Sequence, residues 1–277
     1  MVSYFINNQI VSENINSADN QKKLSICLET NGFSFTVTNS KNQLLAFVDI
    51  ACSFPETLSQ VIALVKQIFT DLHLDYMLMD DVELIIPTCK HTWVPESLFD
   101  AAHARSYFKV LCPLDVKESV FYSYSEKLQA YSVFAYWDTI VSAFKVFIPG
   151  IKVKSVQTKM LETQLLEKSR MKTIIEVYVR KKDFDVAIFD NKNFVLGNSF
   201  KYADKSDIVY HILLLSQQMN ISQDNIDVYI SGKVDKAMYA YMEKFFGRMN
   251  LYTGKKLEFT DNEMYKIPLY QHSLLFR

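Results

Sequence analysis

Between residues 24 and 51, LSICLETNGFSFTVTNSKNQLLAFVDIA, apolar and polar positions alternate in three successive runs. Leu24, Ile26 and Leu28 alternate with Ser25 and Cys27, then Phe33, Phe35 and Val37 alternate, and residues 44–50 form a third run. A period of two marks a strand with one face on a core. Asn31-Gly32 and the polar run 39–42 carry turn chemistry, so three consecutive strands are predicted, with Asn31-Gly32 supplying positive φ angles in the first hairpin. The period then lengthens. Pro55 stands where a first helical turn would start, and Leu58, Val61, Ile62, Val65, Ile68, Phe69 and Leu72 recur at the spacing of an amphipathic helix. Residues 82–87, VELIIP, are nearly all apolar, as in a strand covered on both faces. Residues 92–104 read as a loop feeding a helix, with Pro95 in its first turn and Glu96 near the positive end of its dipole.

A less regular block follows. Residues 107–111, 119–125 and 129–136 read as strands, 137–148 as a helix stopped by Pro149-Gly150, 151–156 as a strand and 158–170 as a charged amphipathic helix. The opening pattern then returns: strands at 173–179, 184–189 and 194–200, a helix capped by Asp204 or Ser206 and running to Met219, a strand at 226–230, and a helix at 235–247. Phe33 aligns with Phe184, Leu44 with Phe194 and Val82 with Ile226, with only short gaps between. The chain is thus read as α/β, with two mixed-sheet domains built on a duplicated β-β-β-α-β-α order. Its parts are an N-terminal arm at 1–21 with a short strand at 2–6, a first domain at 22–170 with a strand-rich insertion around 107–150, and a second domain at 171–277.

Composition narrows the function classes. Among 277 residues, 49% are hydrophobic and 22% charged, enough to bury a sizeable core. The formal net charge of -1 disfavours nucleic acid as the main partner, because phosphate backbones are bound by excess Lys and Arg. The aromatic share of 14% is high and is read first as a strand-rich core, with a surface that meets another protein as the alternative use of any surplus. No apolar run approaches the roughly 18 residues of a spanning helix, and the start, MVSYFINNQIV, lacks a basic leader, so no membrane insertion and a cytoplasmic location are expected. Cys27, Cys52, Cys89 and Cys112 form no CxxC pair and are expected to be reduced and buried.

The duplicated element order resembles the actin-like ATPase fold, also described as ribonuclease H-like. In that family a nucleotide lies between the domains, its phosphates are held by the first hairpin turn of each, and a nearby carboxylate serves magnesium or water. What the resemblance implies for this chain is a site of Glu29, Asn31, Gly32, Glu176 and Gly232, with ATP and magnesium as cofactors. The turns depart from the family pattern. The first, Glu29-Thr30-Asn31-Gly32, keeps one acid and one glycine in shifted spacing, whereas the second, from Glu176 to Asp183, has no glycine at all. Bulky side chains obstruct a backbone phosphate cradle. Trp93-Val94-Pro95-Glu96-Ser97-Leu98-Phe99, Asn198-Ser199-Phe200 and Asp207-Ile208-Val209-Tyr210 are similar to segments of a family common in Bacteroidetes, domain-of-unknown-function family 3822. Its members are described as having an actin-like ATPase fold without established activity.

Other chemistry is sparse. Cys89, His91 and His103 are zinc-type donors without a fourth ligand. Asp71, His73 and Asp75 read as a charged helix end, Arg180-Lys181-Lys182 as a solvated basic turn in preference to a phosphate site, and Asn198 and Asp207 as structural in preference to a cleft lining. Ser231-Gly232 lacks the surroundings of a nucleophile elbow. The leading expectation is a non-catalytic binding or scaffold module with a degenerate actin-like fold and an unidentified protein partner. Self-association is implied only by the actin resemblance. The alternative is a nucleotide-binding ATPase or kinase-like enzyme using the five residues named above.

Overall fold

The computed structural model describes residues 3–12, 15, 21–162, 173–222, 225–255, 258–259 and 267–277. The chain divides into two compact units: Met1–Tyr124 with Ala130–Ser155 and Lys256–Ile267, and Ser125–Gln129 with Val156–Lys255 and Pro268–Arg277. The elements in order are β1 (Tyr4–Val11), β2 (Lys22–Glu29), β3 (Gly32–Asn39), β4 (Gln43–Cys52), α1 (Leu58–Asp71), β5 (Asp81–Ile86), β6 (His91–Pro95), α2 (Phe108–Leu111), β7 (Glu118–Ser125), β8 (Ala130–Trp137), α3 (Asp138–Phe147) and β9 (Lys152–Ser155). They continue with α4 (Val156–Met160), β10 (Thr173–Val179), β11 (Asp183–Asp190), β12 (Asn193–Lys201), α5 (Lys205–Gln218), β13 (Ile226–Gly232), α6 (Lys236–Met242), β14 (Met249–Leu251) and β15 (Glu258–Phe259), and a 3-10 segment spans Leu269–Phe276.

The main sheet of the first unit runs β1-β4-β3-β2-β5-β9 with β15 beside the start of β4, and that of the second runs β12-β11-β10-β13-β14. The two share one path. In each, the first strand of the meander is antiparallel to the second and parallel to the strand that follows the helix, and a further parallel strand closes the edge. The duplication read from the sequence is therefore a duplication of strand path, and the fold is α/β with two mixed sheets.

Period two in the strands and helical period in α1 meet on one core. Leu24, Ile26, Leu28, Phe33, Phe35 and Val37 face Val61, Leu64, Val65, Ile68 and Phe69 of α1 and Ile140, Val141 and Phe144 of α3. Phe33 meets Phe144 edge-on at 5.5 Å and Phe35 stacks on Phe69 at 5.7 Å. Each such side chain contributes about 1.5–3 kcal/mol by leaving water. In the second unit, Ile175, Val177, Val179, Phe184, Val186, Ile188, Val228 and Ile230 form one core with Ile208, Ile212 and Leu215 of α5 and Met242 of α6. Asp204 caps α5 in a capping box with Asp207, whose carboxylate accepts from the Asp204 and Ala203 amides. Ser206 lies within the first turn.

Several elements differ from expectation. Residues 107–111 are helical, not a strand: Asp100 caps the 3-10 segment Ala101–Tyr107, which runs into α2, and Phe108 is buried with Val94, Val133 and Ala135. Residues 92–95, expected as a loop leading into a helix with Pro95 in its first turn, belong instead to strand β6, which pairs antiparallel with β8. The arm contains β1, longer than the short strand expected, held antiparallel against β4. Helix α1 starts at Leu58 after the cap residue Thr57, beyond Pro55, and α6 ends at Met242, short of Gly247. Cys27 and Cys52 are buried thiols, whereas Cys89 and Cys112 are half-buried. The predicted helix 158–170 is α4 at its start, and its part at 163–172 lies outside the described residues. No helix among the described residues is long and apolar enough to cross a membrane.

Candidate functional site

The two hairpins that would hold phosphate are built differently. In the first unit Glu29 pairs with Gly32, which leaves Thr30-Asn31 as a two-residue turn. Gly32 alone has a positive φ, +136°, and Asn31 does not, contrary to the expectation for the pair. A β-carbon on Gly32 would sit 1.9 Å from the Ile50 carbonyl oxygen of β4, and the Asn31 carbonyl accepts from the Cys52 amide at 3.0 Å. The close approach of β4 thus accounts for the glycine. Glu29 is half-buried at the strand end and Asn31 is exposed.

In the second unit the turn is Arg180-Lys181-Lys182, closed by the Arg180 amide donating to the Asp183 carbonyl at 2.8 Å. The Arg180 side chain folds back, its Nε 2.9 Å from Asp183 Oδ1 and 2.9 Å from Asp185 Oδ2. Lys181 and Lys182 point to solvent. Asp185 is fully buried and also accepts from Ser199 Oγ at 2.5 Å and Gln157 Nε2 at 3.1 Å. Burial pushes its carboxyl above the usual range, opposed by the Arg180 charge and by those two hydrogen bonds. Gly232 lies against Val179 in parallel register, with φ +89° and its β-carbon position 2.1 Å from the Val179 carbonyl oxygen. Strand packing accounts for this glycine as well.

Carboxylates in the middle of apolar strands are the other conspicuous feature. Glu83, 1% exposed, accepts from Ser25 Oγ at 2.7 Å and pairs with Lys23 at 2.9 Å and Lys154 at 3.1 Å, all within the first unit. In the second, Glu176 forms a short, fully buried ion pair with Arg277, whose guanidinium lies 4.9 Å from the centre of the Tyr252 ring. The Arg277 carbonyl accepts from Lys159 Nζ at 3.3 Å, and Lys159 pairs with Glu162 at 2.6 Å. Buried charges persist only when matched in this way. An acid inside IIEVYV, FDVAIFD or VELIIP was the signal available for these centres; their partners, up to 101 residues away, had none.

The structure thus brings Glu29, Asn31 and Gly32 together at one hairpin, and places Glu176 and Gly232 on the neighbouring strands β10 and β13 of the other unit. His91 Nε2 lies 2.9 Å from Ser132 Oγ, which lies 2.9 Å from Ser155 Oγ, and burial lowers the His91 imidazole to about 3. His103 instead pairs with Asp100 on the surface at 2.7 Å. Among the described residues no three metal-type donors gather. A depression of about 440 Å³ beside Lys66, Thr70, His73 and Phe147, and one of about 400 Å³ beside Thr173, Asp190 and Asn225, include no residue of either hairpin turn, 29–32 or 180–183.

The chain belongs to the family described as protein of unknown function (DUF3822), whose model matches residues 12–249. A protein of Bacteroides thetaiotaomicron with an actin-like ATPase fold and unknown function is similar to it at 23% identity, over 84% of this chain and 91% of that one, with a TM-score of 0.68. A chain of the PilM-PilN type IV pilus biogenesis complex is similar at 8% identity, over 92% of this chain and 95% of that one, with a TM-score of 0.52. These likenesses establish the actin-like ATPase fold. No curated protein matches the chain in sequence.

Proposed function

We propose that this member of the DUF3822 family is a non-catalytic binding or scaffold module that uses an actin-like fold to engage a partner protein. The observation that carries the reading is Arg180 folded onto Asp183 and Asp185 at the second hairpin. A guanidinium there already occupies the two acids nearest the turn, so a hard cation carried to that turn by a nucleotide would have to displace it to use them. The turn also presents three long side chains in place of a glycine cradle. PilM, a fold relative, is known from a complex of two proteins in pilus biogenesis; the same kind of use fits a fold whose phosphate turns are closed.

The competing reading is an ATPase with ATP and magnesium held by Glu29, Asn31, Gly32, Glu176 and Gly232. Thermal unfolding with and without magnesium-ATP separates the two. A nucleotide at about a hundred times its Kd adds about 2.7 kcal/mol to stability. Our reading predicts an unchanged Tm and no released phosphate at millimolar magnesium-ATP. A saturable rise in Tm, or turnover, overturns it.

A further inference from the structure

The three-stranded sheet β6-β8-β7 carries more aromatic surface than its own core uses. Val94, Phe108, Val133 and Ala135 fill that core. Beside them Phe99 stacks on Tyr131 with ring centres 3.8 Å apart and planes within 16°, Tyr122 lies 4.9 Å from Phe99, and Tyr124 lies 5.0 Å from Tyr131. The outer members stay in water: Leu98 is 69% exposed, Tyr122 47% and Tyr124 40%.

The rings are held in place. Tyr107 Oη donates to the Leu98 carbonyl at 2.9 Å and accepts from the Asp100 amide at 2.8 Å, which fixes the loop carrying Leu98 and Phe99. Tyr124 Oη donates to Glu96 Oε2 at 2.7 Å. One carboxylate, Glu96, therefore borders the rings beside Tyr124, and a second, exposed Asp100, directly follows Phe99 in the chain, its carboxylate accepting from the Ala102 amide at 2.8 Å and lying 2.7 Å from His103 Nδ1. Arg105 donates instead to the Glu118 carbonyl at the other end of β7.

Rigid, half-exposed tyrosines beside a carboxylate have a specific complement. A guanidinium stacks flat on an aromatic ring and forks its N–H groups onto a carboxylate, which a lysine ammonium does not do, and aromatic–arginine contacts are typical interface anchors. We propose that Leu98, Phe99, Tyr122, Tyr124 and Tyr131, bordered by Glu96, form a docking surface for an arginine-bearing segment of a partner protein. The proposal rests on the binding-module reading and names the surface and the chemistry of its partner.

Selection of a displayed random-peptide library on the full chain tests it. Arginine-containing peptides should be enriched, lose about tenfold in affinity when the arginine becomes lysine, and lose at least as much against the Tyr122→Ser/Tyr124→Ser variant. Glu96→Gln, a milder change, should cost roughly fivefold while leaving the melting curve in place. Peptides that bind the variants as well as the wild type overturn this surface and leave the binding-module reading standing. Enrichment of peptides without arginine, or no enrichment, also overturns it. A dimer in sedimentation that the tyrosine substitutions dissolve assigns the surface to a second copy of this chain and overturns it too. The binding-module reading itself falls only by the nucleotide experiment.

Discussion

The hairpins β2–β3 and β10–β11 occupy equivalent places in two sheets of the same path, yet they solve different problems. The first is a tight two-residue turn whose glycine is forced by the Ile50 carbonyl. The second is a longer turn whose arginine folds inward to hold two carboxylates, one of them fully buried. Topology was duplicated while chemistry was not. A glycine at a hairpin is therefore weak evidence for a phosphate site until the backbone that approaches it has been examined, and an arginine in a basic turn need not face solvent.

The contrast can be broken most severely at Arg180. Arg180→Ala leaves Asp185 buried without its countercharge, and chemical denaturation should show a loss of about 3–5 kcal/mol. Adding Asp185→Leu should recover part of that loss; a double variant no better than the single would show that the pair is not coupled. Next is Gly32→Ala, where the β-carbon meets a carbonyl oxygen at a positive φ. Its cost should be about 3 kcal/mol, against less than about 0.5 for Gly247→Ala, which meets open space. Equal costs at the two glycines would remove the packing explanation. Lys154→Ala should cost only about 1 kcal/mol, because Lys23 and Ser25 still serve Glu83 and Lys154 is 23% exposed.

The smallest effect is in titration. The folded-state pKa of Asp185 is raised, so the native state holds its proton more tightly than the unfolded chain. Its contribution to stability is full below the ordinary carboxyl value and is lost as pH rises through the folded value. A carboxyl-carbon NMR titration should place its midpoint above 3.8; a midpoint at or below that value would mean that Arg180 outweighs burial.

Strand path was largely legible because alternation and helical spacing are local signals: β10 falls on the predicted residues, and the meanders and α1 are displaced by only a few. What failed depended on distant partners. HTWVP is a strand because β8 pairs with it, and FKVL is helical because Phe108 has a pocket among Val94, Val133 and Ala135. Strand β1 lacks alternation, with five consecutive exposed residues, so only its start, within the short strand expected at 2–6, was legible and its extension to Val11 was not. The buried acids were visible as polar residues inside apolar runs. Their matches were not, since Lys154 lies 71 residues from Glu83 and Arg277 lies 101 from Glu176.

The central claim is that neither hairpin cradles a nucleotide. Amide NMR of the full chain, titrated with magnesium-ATP, tests it at the atoms concerned. The account predicts that the amides of residues 29–32 and 180–183 keep their shifts through millimolar nucleotide. Saturable shifts on both hairpins would contradict it.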